Sequence, residues 1–203
     1  MWPRADTARR FNFFPKGNSM AQTSTRSRSH TATRGKTAGS TTPDAIALLK
    51  ADHREVEEMF EQFEKSRSED KKAQLAQKIC QALKVHTQIE EEIFYPAFLE
   101  ATGNKDIHHE AEIEHDGAKK LIAEIEASGP TDEYFDARVK VLSEMIKHHV
   151  KEEEQRDGMF AEARDSDMDL DALGEQMQAR KDELGAEVAD GAANEDAEIK
   201  FNG

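Results

Sequence analysis

The sequence predicts an all-α protein: an antiparallel up-and-down four-helix bundle with an additional C-terminal helix and disordered tails. Apolar residues recur every three or four positions in four long segments, which indicates four amphipathic helices. Short connections rich in Gly, Pro, Ser or Thr separate these segments, and a shorter amphipathic segment follows them. Long helices joined by short turns typically form antiparallel bundles.

The first two helices each begin at a capping signal. Thr42 is predicted to cap the first helix and Pro43 to occupy its first position, and Ser68 opens the second helix. Pro96 should bend or close the second helix, and "TGN" at 102–104 is typical of a turn. The predicted buried stripes contain Ile46, Leu49, His53, Val56, Phe60 and Phe63, then Ile79, Leu83, His86, Glu90, Ile93 and Ala97.

The third and fourth helices show the same periodicity. The third is predicted from about Lys105 to Ala127, and the fourth from a cap at Thr131 through Gly158, which should loosen its last turns. Their stripes contain Ile107, Ala111, His115, Ala118, Ile122 and Ile125, then Phe135, Val139, Leu142, Ile146, His149, Glu153 and Phe160. The fifth segment, with Leu170, Leu173, Met177 and Leu184, should pack outside the bundle or against a partner.

Charge divides the chain into three predicted parts. Residues 1–43 form a disordered basic tail, with eight Lys or Arg against one acid, and Met20 within it is an alternative start. Residues 44–165 form the bundle, and residues 166–203 form the extra helix and a frayed acidic tail. Residues 44–203 carry twenty basic and forty-one acidic side chains. The excess of negative charge argues against binding of nucleic acid, except weakly through the basic tail, and favours binding of cations.

The remaining composition indicates a cytoplasmic protein without membrane contact. Cys80 is the one cysteine, so no internal disulfide forms, and its place on a helix predicts a packed side chain. No apolar run approaches the ~20 residues that span a bilayer. The N-terminal "FNFF" is too short for the core of a signal peptide.

Polar residues interrupt the four stripes at one level of the bundle. The histidines of the first and third helices lie about ten residues after the helix start, and the glutamates of the second and fourth lie about ten before the end. At a rise of about 1.5 Å per residue, all of them fall in one layer ~15 Å from one end of the bundle. The layer contains His53, His86, Glu90, His115, His149 and Glu153.

The two HxxxE pairs in this layer predict a metal site. Residues at i and i+4 share a helix face, so each pair delivers one imidazole and one carboxylate to the same point. Unpaired carboxylates in an apolar interior would cost several kcal/mol each, and cations compensate for them. Imidazole and carboxylate without thiolate suit iron, zinc, copper or manganese, and each carboxylate can bridge two metals.

These residues resemble the hemerythrin HHE cation-binding family over residues 44 to about 164, through His53, "HTQIE" (86–90), "EH" (114–115) and "HVKEE" (149–153). The resemblance implies two non-haem Fe ions joined by an oxo or hydroxo bridge, with one open position for O2. It implies a small diatomic or peroxide as the ligand; a protein partner and catalytic turnover remain open. The resemblance assigns His53, His86, His115 and His149 as terminal ligands, and Glu90 and Glu153 as bridges.

The third helix departs from the oxygen-carrier pattern. Carriers of this family usually have two histidines four residues apart there, but Ala111 and Lys119 flank His115 at that spacing. Glu112, His108 or water is the predicted substitute. The departure favours sensing of oxygen, nitric oxide, peroxide or iron redox state over reversible oxygen carriage.

Other interpretations remain open from the sequence. His148 and Glu152 repeat the HxxxE spacing on a less complete stripe, so His149 is preferred. A ferritin-like centre would need ExxH motifs, of which "EIEH" at 112–115 is one. A single structural zinc could instead stabilise a stress-related interaction bundle. Phe94 and Tyr95 are predicted to cover the open end of the bundle, with Tyr95 within reach of the metal's outer shell. The other polar side chains near the layer are predicted to face solvent: His108, His109, Glu91, Glu92 and Glu154.

Overall fold

The computed structural model describes residues 42–201, and the side chains of residues 42–187; this part of the chain contains helices and no strand. Except for Thr42 and Pro43, the predicted basic tail lies outside the described residues. A five-residue π-helical turn, Glu90–Phe94, joins α2 to α3. The helices are α1 (Ala45–Lys65), α2 (Glu69–Ile89), α3 (Tyr95–Thr102), α4 (Lys105–Ala127), α5 (Phe135–Glu154), α6 (Met159–Asp165) and α7 (Leu170–Phe201).

The four long helices α1, α2, α4 and α5 form the predicted bundle, in which each packs against two neighbours in the order α1, α2, α4, α5 and back to α1. The predicted fold class is confirmed for the described residues. The additional helix α7 packs across α1, α2 and the π turn, where Met177 and Leu184 are buried. No helix of the described part is long and apolar enough to cross a bilayer.

Two apolar clusters fill the bundle, and a polar layer lies between them. Along α1, Leu49 belongs to one cluster and Val56 to the other, with buried His53 between them. The same order holds along α4, where His115 separates Ala111 from Ala118. Each fully buried large apolar side chain contributes about 1.5–3 kcal/mol. The clusters therefore fix the helices on both sides of the polar layer.

Local hydrogen bonds determine where the helices begin. The N-cap of α1 is Asp44, not the predicted Thr42: its Oδ1 accepts from the Ala47 N–H at 2.8 Å. Ser68 caps α2 as predicted, since its Oγ accepts from the Lys71 N–H at 3.3 Å. The prediction of a cap at Thr131 is wrong, because α5 begins at Phe135 after a turn in which Asp132 bonds the Tyr134 N–H.

The π turn shifts the buried face beyond α2 by one residue. The sequence predicts Ile93 and Ala97 on the stripe, but these are partly exposed, whereas Phe94 and Phe98 are fully buried. A π turn accommodates one extra residue, which rotates everything after it relative to a regular helix. Tyr95 consequently lies on the buried face, with its N–H bonded to the Glu90 carbonyl.

The fourth bundle helix is shorter than predicted. α5 ends at Glu154, and Phe160 belongs to the separate helix α6. A side chain at Gly158 would place its Cβ 2.1 Å from the Glu152 carbonyl oxygen, so the return of the chain against α5 requires glycine. Toward the C-terminus, α7 continues as a helix to Phe201, through the segment that was predicted to fray. Alanine and glutamate are frequent in that segment, and both favour helix.

Candidate metal centre

The six residues predicted as ligands lie together between the two apolar clusters. The structure buries His149 at 4% exposure and leaves the His148 side chain 59% exposed, so the inner HxxxE pair of α5 is His149 and Glu153. All six residues are at most 5% exposed: His53, His86, Glu90, His115, His149 and Glu153.

The four histidines form two pairs. The Nε2 atoms of His53 and His86 lie 3.1 Å apart, and those of His115 and His149 also lie 3.1 Å apart. Each pair joins neighbouring helices, α1 with α2 and α4 with α5. Two nitrogen atoms aimed at one point from two helices are an arrangement that could hold one cation, so the two pairs define two adjacent positions.

Each carboxylate reaches both histidine pairs. The Oε2 atom of Glu90 lies 3.3 Å from His86 Nε2 and 3.4 Å from His115 Nε2. The Oε2 atom of Glu153 lies 3.4 Å from His53 Nε2 and 3.7 Å from His149 Nε2. Glu90 accordingly belongs to two groups of side chains that could hold a metal ion, one with each histidine pair. Carboxylates in this position are suited to bridging two cations.

The carboxylate oxygens lack the partners that burial demands. Both oxygens of Glu90 and Oε2 of Glu153 are buried without a hydrogen bond within the described structure. An unsatisfied buried polar group costs about 1–3 kcal/mol, and more when it is charged. A cation between the histidine pairs would satisfy these oxygens, so the residues fit a bound metal.

Burial and neighbouring charges shift the pKa values of these buried groups. Burial and the charge of Glu153 raise the pKa of Glu90 well above its ordinary value. Burial acts in the same direction on Glu153, but His149 and His53 overcome it and lower the pKa of Glu153 to about 2. Burial and neighbouring His149 lower the pKa of His115 to about 2. Burial thus favours the neutral forms of Glu90 and His115, and a bound cation would favour the ionised carboxylate instead.

A carboxylate faces the outer nitrogen, Nδ1, of each of the four histidines; it is within hydrogen-bond distance at His53, His115 and His149, whereas His86 Nδ1 has no hydrogen bond within the described residues. Asp52 on α1 faces His86 on α2 at 3.5 Å, and Glu91 after α2 faces His115 on α4 at 2.9 Å. The series continues around the bundle: Glu114 on α4 faces His149 on α5 at 2.8 Å, and Glu154 on α5 faces His53 on α1 at 2.9 Å. This carboxylate–histidine pattern is the usual outer support of metal-ligating histidine and orients Nε2 inward.

The four supporting acids were missed as functional residues; the sequence prediction placed Glu91 and Glu154 on a solvent face. Each directly adjoins one of the six predicted residues in the sequence but supports the histidine of the next helix. An acid next to His53, Glu90, His115 and Glu153, one on each predicted helix, was the sequence signal for them. Asp52 adjoins His53, and Glu114 adjoins His115.

Lysine side chains form ion pairs with three of these acids. Lys119 pairs with Glu91 at 2.5 Å, and Lys50 pairs with Glu154 at 3.0 Å. Lys181 of α7 pairs with Asp52, so the additional helix contacts the support of His86. Burial alone would raise the pKa of Asp52, but His86 and Lys181 outweigh it and lower that pKa.

Tyr95 adds a hydroxyl to the polar layer beside His115. Its hydroxyl lies 3.1 Å from His115 Nε2 and donates to Glu153 Oε1 at 3.2 Å. The side chain is 1% exposed, and burial with the charges of Glu153 and Glu90 raises its pKa well above the ordinary value. The π turn carries Tyr95 to this face.

The substitutes predicted from the sequence, Glu112 and His108, lie elsewhere. Glu112 is 54% exposed at its side chain and faces His108 Nδ1 at 3.4 Å. Together with His109 they form a separate group outside the buried layer. Because Glu112 belongs to the one ExxH motif, its position also removes the support for a ferritin-like centre.

Aromatic rings close one side of the layer, while the buried thiol takes no part in it. Phe160 of α6 stacks on His53 with ring centroids 5.8 Å apart. Phe94 meets Phe160 edge to face. Cys80 is buried in the other apolar cluster, and burial raises its pKa to about 11, which makes it a poor nucleophile.

Comparison with known proteins agrees with this geometry. Residues 44–161 match the hemerythrin HHE cation binding domain family, and this match spans more than half of the chain. The chain therefore belongs to the hemerythrin HHE cation-binding family, whose members bind metal cations.

Two individual proteins are similar to this chain. A hemerythrin HHE cation binding domain-containing protein from Mycobacterium kansasii has a crystal structure that shares its fold, with a TM-score of 0.59, 23% identity, and coverage of 70% of this chain and 87% of that one. A protein of Nostoc sp. (strain PCC 7120) named DNA nickase is 29% identical over 119 residues, which are 59% of this chain. The alignment spans 33% of the Nostoc protein, about a third of its length.

Proposed function

We propose that this protein is a hemerythrin-like non-haem di-iron protein that responds to O2, or to another small oxidant such as nitric oxide or peroxide. One observation carries the proposal: two buried histidine pairs are joined by two carboxylates, each within 3.7 Å of one histidine from either pair. A single cation would be held by one histidine pair and would leave the other pair buried without a cation or water. The arrangement therefore favours two ions over the alternative of one structural zinc.

The donor atoms suit iron, zinc, copper or manganese, and the resemblance to the hemerythrin family is the reason for proposing iron among them. The centre offers imidazole nitrogen, carboxylate oxygen and the hydroxyl of Tyr95, with no thiolate. Bound iron would supply redox electrons and an open coordination position for a small ligand. The chain's own residues hold the ions, orient the histidines through the four supporting acids, and exclude bulk water.

The openings to the centre are suited to small molecules. A pocket of about 210 Å³ reaches His149 and Glu153 between α4 and α5. This pocket is smaller than the about 300–1,000 Å³ of sites for drug-sized ligands, and it admits a diatomic molecule or peroxide. A second opening of about 320 Å³ reaches His53.

Reduction followed by exposure to air tests the proposed role. We expect the reduced protein to convert to a stable oxidised form, because α4 offers one histidine, His115, where the oxygen-carrier pattern has two. Visible absorption recorded through repeated cycles of dithionite and air measures this. If the reduced protein binds and releases oxygen repeatedly without oxidation, the chain is a carrier and the proposed sensing or redox role is wrong.

The position of Tyr95 gives a second prediction. Tyr95→Phe removes only the hydroxyl that contacts His115 and Glu153, so it should shift the visible spectrum and change the rate of reoxidation while the helical content stays the same. The matched control is Glu112→Gln, which changes the substitute predicted from the sequence and should leave the spectrum of fully loaded protein unchanged. A shift in the control alone would restore Glu112 as the substitute ligand.

Nicking of DNA, the activity in the name of the Nostoc relative, is not proposed for this chain. Residues 44–203 carry forty-one acidic against twenty basic side chains. Such a surface repels the phosphate backbone, which supplies most of the affinity of proteins for DNA. The alignment also leaves about two thirds of the Nostoc protein without a counterpart here.

A further inference from the structure

A second group of metal-ligating side chains lies on α4, outside the buried centre. The ligand atoms of His108, His109 and Glu112 all lie within 4.8 Å of one another. His108 and Glu112 occupy positions i and i+4, and His109 adds a second imidazole beside them. Two imidazoles and one carboxylate are a ligand set that suits divalent first-row metals, iron included.

The Nδ1 atom of His108 lacks a hydrogen-bond partner within the described structure. The His108 side chain is 12% exposed, and this atom is buried. Glu112 approaches that atom at 3.4 Å, too long for a sound hydrogen bond. A cation held by His108, His109 and Glu112 would give this nitrogen a partner.

The group lines a pocket of about 710 Å³. Glu91 and Asp116 add two acids to its lining, against one lysine, Lys119. The acidic balance raises the local concentration of cations. Tyr95 forms the inner wall: its ring centroid lies 6.0 Å from that of His108, and its hydroxyl contacts His115 and Glu153. The pocket is thus separated from the buried centre by one side chain.

We propose that His108, His109 and Glu112 form an exchangeable divalent-metal site that captures Fe²⁺ and delivers it past Tyr95 to the buried centre. Delivery of Fe²⁺ to the buried centre depends on the proposed di-iron function, whereas binding of a metal by these three residues does not. Its ligands lie at the pocket mouth, where a hydrated ion exchanges readily, whereas the six inner residues are almost completely buried.

Loading of metal-free protein with Fe²⁺ under anaerobic conditions tests the proposal. The double variant His109→Ala with Glu112→Gln changes two exposed side chains and keeps the partly buried His108. We expect its loading rate at limiting Fe²⁺ to fall at least roughly tenfold, with the same final iron content, since loss of supporting ligands typically weakens metal sites 10–100-fold. The matched control is Glu133→Gln, an exposed glutamate before α5, far along the bundle from the centre; it should load at the wild-type rate.

A titration of iron-loaded protein with Zn²⁺, followed by calorimetry, separates the two proposals. Wild type should bind one further equivalent and the double variant none. Equal loading rates together with equal zinc binding in both proteins would overturn the exchangeable site. If wild type binds the extra zinc but takes up no iron in its buried layer, the di-iron function fails while the outer metal site stands and only its role in delivery is lost.

Discussion

Glu90→Gln should reduce the iron content of the purified protein from about two ions per chain to less than one. The substitution keeps the size of the side chain but removes the negative charge that both histidine pairs share, through contacts of 3.3 and 3.4 Å. Glu153→Gln should act similarly, because its carboxylate reaches His53 and His149. In the proposed di-iron centre, loss of either carboxylate would leave the repulsion between the two cations uncompensated.

Elemental analysis measures this effect, with Glu92→Gln as the matched control. Glu92 lies two residues from Glu90 in the same π turn, but it is exposed and pairs with Arg180 of α7. Its substitution removes the same formal charge without touching the centre and should retain wild-type iron. Unchanged iron in both Glu90→Gln and Glu153→Gln would show that these carboxylates are not ligands.

Removal of metal should lower the melting temperature by roughly 10 °C. Ligand at a thousand times its Kd stabilises the folded state by about 4 kcal/mol, and each kcal/mol shifts the melting temperature of a domain of this size by roughly 2–4 °C. The physical reason is that the metal-free layer keeps Glu90 and Glu153 buried with unsatisfied oxygens. Metal binding is thereby coupled to folding.

Thermal denaturation followed by circular dichroism, before and after chelation, measures the shift. Glu90→Gln provides the control: because it should hold little iron, chelation should change its melting temperature only slightly. A wild-type protein that melts at the same temperature with and without metal would contradict a buried metal centre.

The bundle and its polar layer could be predicted because both depend on periodicity. The stripes of α1, α2, α4 and α5 have apolar residues at steps of three and four, and the intruding histidines and glutamates fall on the same faces. Helix geometry alone then places His53 and His115 at the level of the two HxxxE pairs. The structure brings those six residues together, and their role as ligands stays a prediction.

Features that depend on a shift of one residue in the helical register could not be predicted from the sequence. The π turn at Glu90–Phe94 has no compositional signature, so the buried positions of Phe94 and Tyr95 did not follow from the stripe. The same turn moves Tyr95 to His115, where the sequence suggested Glu112 or His108. Prediction of this contact would have required knowing that one extra residue is accommodated after Glu90.

The supporting acids were not predicted for a different reason. Asp52, Glu91, Glu114 and Glu154 stand in runs of charge that usually form a solvated face. Each side chain crosses to the neighbouring helix, so its partner depends on the order of helices around the bundle and not on spacing along the chain. Such contacts become visible only when the helices are assembled.

The most direct test of the central claim is metal analysis combined with an absorption spectrum, on full-length protein purified without a histidine tag. The proposed centre predicts two irons per chain and a charge-transfer band between the near-ultraviolet and the visible that changes on reduction with dithionite. One colourless zinc per chain, or no bound metal, would contradict it.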